Sequence, residues 1–178
     1  MLSREEWSAA VHRELAAIGV SQVAYVPDAG LSRLIQLAQE DNSMRAIALS
    51  TEEEGVAVAM GAWLGGEKAV LMMQSSGVGN CPNMLAMAQA CRTPLLMLVT
   101  MRGQWGEFNP WQVPMGQATP ELLKLSGAIV MPVDEPERLA ETVAAAARLA
   151  WGSYTMVAVL IGQRVIGAKD FLARGDKP

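Results

Sequence analysis

Apolar positions along this chain follow two periods. Trp7, Val11, Leu15 and Ile18 recur at spacings of four, four and three, which predicts an amphipathic helix over residues 4–18, closed by Gly19. Residues 21–26 predict a strand that stops at Pro27-Asp28-Ala29-Gly30, with a helix from Leu31 to about Glu40 behind it. A second strand over 44–49 leads into Ser50-Thr51-Glu52-Glu53-Glu54, where Ser50 or Thr51 can cap a helix and the acids suit its positive end. Residues 55–65 of that helix carry no polar side chain, so the segment is expected to be buried on every side. Lys68–Gln74 and Pro94–Thr100 are nearly continuous apolar runs, as central parallel strands are. Between them Ser75-Ser76-Gly77-Val78-Gly79-Asn80 precedes a helix through about Arg92. A long loop is expected over 101–118, then a short helix with Thr119 as cap and Pro120 in its first position. A strand over 128–133, an Ala-rich helix over 136–151 and a strand over 155–161 complete the pattern.

Strand and helix alternate throughout, which predicts an α/β fold: a doubly wound, mainly parallel six-stranded sheet with helices on both faces. The expected domain spans residues 1–168, with 169–178 as a flexible charged tail. In such sheets ligand groups lie on the loops after the strands. Here those loops carry Asp28, the Glu52 cluster, Ser75–Asn80 and Arg102–Trp111.

Composition narrows the function classes. At 178 residues the chain is large enough for one domain with a real core, and with 51% hydrophobic residues, 18% charged residues and a mean hydropathy of +0.20, another chain is expected to cover part of its surface. A net charge of −4 without a Lys/Arg run argues against nucleic acid. No apolar run approaches a membrane span, and the charged N-terminal helix does not read as a signal peptide. Two cysteines without CxxC spacing fit a reduced, cytoplasmic protein, and one histidine with two cysteines makes a zinc site hard to assemble.

Several chemistries drop out on inspection. Gly77-Val78-Gly79 fails the dinucleotide fingerprint because the third glycine position is Pro82, and no Walker ending follows. His12 sits beside the apolar face of the first helix, a structural setting, and Gly-x-Ser-x-Gly is absent, so no serine triad forms. Trp105, Phe108 and Trp111 of the long loop are either interface anchors or pocket walls.

Four motifs in order carry a resemblance: Val26-Pro27-Asp28, the Glu-led apolar helix, Met73–Asn80, and Arg102-Gly103. Together they resemble the pyrimidine-binding (PYR) domain of thiamine-diphosphate-dependent decarboxylases, nearest to the sulfopyruvate and phosphonopyruvate decarboxylase branch. The likeness covers roughly residues 5–165. It implies a 2-oxo acid as substrate, an aldehyde and CO2 as products, and a glutamate that hydrogen-bonds N1′ of the cofactor's aminopyrimidine. The family's pattern of small residues after that glutamate matches best from Glu52, through Gly55, Ala59 and Gly61, leaving Glu53 and Glu54 as first-turn charges. The resemblance further implies Asp28 as a substrate-facing, proton-transferring acid. It implies Gln74, Ser75, Ser76, Gly77, Gly79 and Asn80 as the pyrimidine pocket. Arg102 would bind a substrate's acidic group or hold the loop.

The family's Gly-Asp-Gly motif with its later Asn, which holds Mg2+ and the diphosphate, does not occur in this sequence. A beta subunit is therefore expected to supply it, in an assembly with at least two of each chain. The competing expectations are a stand-alone small-molecule or nucleotide-binding module and a non-catalytic regulatory subunit.

Overall fold

The computed structural model describes residues 2–167, so the expected tail at 169–178 lies outside the described residues. The elements run α1 (Arg4–Ala17), β1 (Val20–Tyr25), α2 (Ser32–Glu40), β2 (Arg45–Ala48), α3 (Glu52–Leu64), β3 (Lys68–Gln74), α4 (Pro82–Ala90), β4 (Leu95–Thr100), α5 (Gln112–Leu125), β5 (Ile129–Val133), α6 (Leu139–Ser153), β6 (Met156–Ile161) and α7 (Gln163–Ile166). A 3-10 turn over Ser75–Asn80 joins β3 to α4.

Six parallel strands form one sheet in the order β2-β1-β3-β4-β6-β5. Period-two alternation on the central strands builds two cores. Val70, Met72, Leu96, Leu98, Val157 and Val159 face α1, α2 and α6. Leu71, Met73, Met97, Val99, Ala158 and Leu160 face α3, α4 and α5. Most of these side chains are completely buried, at about 1.5–3 kcal/mol for each large one. The sheet is thus a rigid platform, and the strand order reverses between β1 and β3, where crossovers leave in opposite directions and a crevice opens at the C-terminal edge.

Local chemistry fixes the element ends. α1 begins with a capping box: the Ser3 hydroxyl accepts from the Glu6 amide, and the Glu6 carboxylate accepts from the Ser3 amide at 2.8 Å. α3 lies close on the sheet because a Cβ at Gly55 would stand 2.3 Å from Leu71 Cδ1. His12 stands 3.0 Å from the Asp41 carboxylate, a structural tie from α1 to the end of α2.

Three expectations need correction. Thr51 is the N-cap of α3 but makes no side-chain cap bond; its hydroxyl donates to the Glu53 carboxylate instead. α3 is not covered on every side in this chain: Val56, Ala59 and Ala62 are buried, while Ala57 and Gly61 are open and Leu64 is 85% exposed. The loop after β4 ends at Trp111, because α5 already starts at Gln112. Pro114 falls in its first turn, where the missing amide costs nothing, and Pro120 lies inside the helix. Tertiary contact overrides the proline there. The Thr119 hydroxyl donates to the carbonyls of Ser75 and Met115, and Gly116 packs so tightly on the Arg102 carbonyl that no side chain fits.

Candidate active site

The loops after β1, β2, β3 and β4 meet at the C-terminal edge of the sheet. Three neighbouring acids open α3, and the structure gives each a different environment. Glu54 reaches back to accept the Ser50 amide at 2.9 Å. Glu53 takes the Thr51 hydroxyl, which holds its carboxyl below the usual range. Glu52 instead extends to the 3-10 turn, where its Oε2 accepts from Asn80 Nδ2 at 2.7 Å. Its carboxylate lies directly over Gly77: a Cβ there would stand 2.2 Å from Glu52 Oε1 and 2.3 Å from Cδ. Gly77 has no left-handed backbone, so its lack of a side chain serves space for Glu52 rather than a turn. The turn is thus a cradle for one carboxylate, which keeps unused lone pairs.

This makes a sharp prediction. In Gly77→Ala the backbone remains allowed and the fold stays, but the Glu52 carboxylate is displaced by about an ångström or more. If Glu52 carries the chemistry, a shift of that size lowers turnover by about a hundredfold. Activity of the assembled complex, set against an unchanged unfolding midpoint, measures it; full activity would show that the Glu52 position does not matter.

The second acid is held from the sheet. Asp28 Oδ2 accepts from Thr100 Oγ1 at 2.7 Å, and Oδ1 accepts from Gln74 Nε2 at 3.0 Å. Gln74 in turn accepts from Ser76 Oγ at 2.9 Å and from Gln112 Nε2 at 2.7 Å. Gln74 and Thr100, at the ends of β3 and β4, therefore fix the carboxylate at the strand edge, and both Thr100 and the Gln112 that braces Gln74 from α5 are buried.

The remaining expected residues are placed as follows. Ser75 is fully buried; its hydroxyl accepts the Arg102 amide at 3.1 Å and its carbonyl accepts from Thr119, so it ties the turn to β4 and α5. Gly79 packs near Met115 and Asn80 is exposed. Arg102 grips Glu107 through Nε and Nη2, at 2.6 and 2.5 Å, and stands 5.5 Å from the Phe108 ring centre. Glu107 also accepts from the Gly103 and Asn109 amides and from Gln163 Nε2. The Arg102 guanidinium, acting against burial and with help from those amides, holds the Glu107 carboxyl down to about 2. Gln163 Oε1 accepts from the amides of Gln104 and Trp105. Of the two roles open to Arg102, holding the loop is visible in the structure. The loop is a knotted frame that presents Trp105, Phe108 and Trp111 at 54%, 40% and 65% exposure.

Sequence reasoning missed Thr100, Gln112, Glu107 and Gln163. Two carry a signal in hindsight: Thr100 is the polar end of an apolar strand, and Glu107 is the one acid in an aromatic loop. Cys81 under the turn is buried, and desolvation, followed by the charges of Glu52 and Glu53, pushes its thiol up to about 12, so it stays protonated.

Comparison with known proteins bears on this geometry. The family model of the thiamine pyrophosphate enzyme N-terminal TPP binding domain matches residues 6–129. Sulfopyruvate decarboxylase subunit alpha of Methanococcus maripaludis is 37% identical over 118 residues, 66% of this chain and 71% of that protein. The subunit alpha of Methanothermobacter thermautotrophicus is 35% identical, covering 66% of this chain and 72% of its own. Phosphonopyruvate decarboxylase of Streptomyces viridochromogenes is 39% identical over 62% of this chain, which spans 28% of that longer protein. Among solved structures, the 2-oxoglutarate:ferredoxin oxidoreductase of Magnetococcus marinus, solved with 2-oxoglutarate, coenzyme A and succinyl-CoA bound, superposes with a TM-score of 0.70. It covers 90% of this chain at 16% identity while this chain spans 29% of it, and so the likeness is one of fold.

Proposed function

Because the chain belongs to the family of thiamine pyrophosphate enzyme N-terminal TPP binding domains, we propose that it is the alpha subunit of a two-subunit thiamine-diphosphate-dependent 2-oxo acid decarboxylase. The observation that carries this is the Glu52 carboxylate, held over Gly77 with Asn80 as its side-chain donor. That arrangement fits an aminopyrimidine: an acid with free lone pairs, seated over a turn whose missing Cβ makes room for its carboxylate.

Bound thiamine diphosphate supplies the nucleophilic carbon and the electron sink that let a 2-oxo acid lose CO2. The chain's own residues do the rest. Glu52 holds the proton shared with N1′ of the aminopyrimidine. Gln74, Ser76, Gly77, Gly79 and Asn80 wall the pyrimidine, with Ser75 bracing the turn from beneath. Asp28, fixed by Thr100 and Gln74, faces the substrate and serves proton transfer to the product.

The diphosphate and Mg2+ fall to a beta subunit in this reading. Among the described residues no group of three or more His, Cys, Asp or Glu stands together to hold a metal ion. No helix among them is long and apolar enough to cross a membrane. The open side of α3 carries Ala57, Gly61 and Leu64, and the neighbouring α4 exposes Met87 at 44%. This apolar face is where the partner packs, and the active site lies between the chains.

Reconstitution tests the proposal. This chain, a beta chain bearing Gly-Asp-Gly and a later Asn, thiamine diphosphate and Mg2+ are expected to release CO2 and an aldehyde from a 2-oxo acid, with all four required. A beta chain equally active alone would instead make this chain a regulatory subunit.

A further inference from the structure

Beside Asp28, on the side of the sheet that carries α1, lies a cleft of about 110 Å³ lined by Arg4, Asp28, Arg102 and Ile166 with neighbouring backbone. That is space for several waters, or for one tetrahedral acid group. Arg4 opens α1 and crosses to this cleft, donating through Nη1 to the Ala29 carbonyl at 3.2 Å and through Nη2 to the Ile166 carbonyl at 2.6 Å. Both partners are neutral, so among the described residues its charge has no matching carboxylate. Arg102 spends Nε and Nη2 on Glu107, leaving Nη1 outside that pair.

The single negative charge lining the cleft is Asp28, and both its oxygens are already engaged by Thr100 and Gln74. Asp28 keeps its charge, and against that one carboxylate an entering anion meets the Arg4 guanidinium and the Nη1 edge of Arg102, next to the residue that faces the reacting carbon. Cation pairs of this kind suit a sulfonate, phosphonate or carboxylate. A monoanionic 2-oxo acid would leave the cleft to water.

We infer that this cleft receives the second acidic group of a dianionic 2-oxo acid, and that Arg4 sets the preference for such substrates; the inference rests on the decarboxylase reading above. In a 2-oxo acid bearing a sulfonate or phosphonate on the neighbouring carbon, the second acid lies one bond beyond the keto carbon's attachment. Its site must therefore adjoin Asp28, as this cleft does. Arg4 is a specificity-determining residue in this arrangement, and Arg102 the wall it works against.

The test compares Arg4→Met and Arg4→Lys with the wild-type chain in the assembled complex, using sulfopyruvate and pyruvate as substrates and sulfoacetate as an unreactive ligand. Loss of one charge-assisted contact is expected to lower kcat/KM for sulfopyruvate by about tenfold to a hundredfold, mainly through KM, and to weaken sulfoacetate binding similarly. Turnover of pyruvate should stay within about twofold, and Arg4→Lys should recover part of the loss. A purely structural Arg4, tying α1 to the β1 loop, would instead lower both substrates together and overturn the inference. So would a wild-type complex indifferent to the second acid. If the wild-type complex decarboxylated no 2-oxo acid, the functional reading would fall, while the sulfoacetate comparison would still decide the cleft.

Discussion

Glu52→Gln is expected to cut decarboxylation by the assembled complex by about a thousandfold, within the range spanned by positioned acid–base groups. The substitution keeps the shape of the side chain and removes only its ability to hold and release a proton. Glutamine can still meet Asn80 through its own amide, and the carboxylate is only half-buried at the first turn of α3, so the unfolding midpoint should hardly move. Glu53→Gln and Glu54→Gln are the internal controls. Their carboxylates face Thr51 and Ser50 rather than the turn, so each should leave turnover within about twofold and weaken the helix only slightly. Full turnover in Glu52→Gln together with loss in Glu53→Gln would move the catalytic role to the neighbour. Measurement of kcat, with cofactor binding followed separately, distinguishes a lost proton partner from a lost binding site.

Removal of Glu107 is expected to have the largest effect on stability. Its side chain is 3% exposed and that of Arg102 14%, so truncation strands a guanidinium in a poorly solvated place. It also deprives the amides of Gly103 and Asn109 and the Gln163 side chain of their acceptor. Breaking a buried pair from one side typically costs about 3–5 kcal/mol, and Glu107→Ala should lose that much in urea unfolding at pH 7. The pH dependence gives an independent check. Glu107 has a folded-state pKa lowered to about 2, so its contribution is fully present above the ordinary glutamate range. It is lost as pH falls from about 4.5 through about 2. The shift corresponds to about 3 kcal/mol. Wild type and variant should therefore converge on acidification, where the pair is gone in both. A variant as stable as the wild type at pH 7 would show the knot to be energetically idle. The frame around Trp105, Phe108 and Trp111 should also loosen, visible as faster amide exchange at Gly103 to Trp105 and at Asn109.

The four-motif resemblance pointed to the family, and the family model together with the subunit alpha relatives bears that out. Strand positions were legible because each central strand is a short apolar run, and Lys68–Gln74 was read to the residue. The start of α5 was not legible. In sequence Pro114 reads as part of the loop and Pro120 as a first helical position, and only contact of Gly116 and Thr119 with the Arg102 and Ser75 carbonyls shows why the helix begins earlier and runs through both. The three acids of α3 looked alike by local chemistry, since any of them suits a helix N-terminus. Small-residue spacing after Glu52 singled it out by family likeness, and the cradle at Gly77 gives that choice a physical setting.

By itself the sequence determined what depends on local order: six strands, the helices between them, and the loops that must gather on one edge. Short-range periodicity is enough for this, because side-chain alternation and helical spacing are set within a few residues. What only the tertiary structure decided depends on pairs distant along the chain. Thr100 meets Asp28 from 72 positions away, and Gln163 meets Glu107 from 56. Arg4 reaches the Ile166 carbonyl across 162 positions. These contacts exist because parallel strands and their crossovers bring the loops together at one edge. No pattern in the linear sequence records which polar side chain finds which partner once that edge has formed.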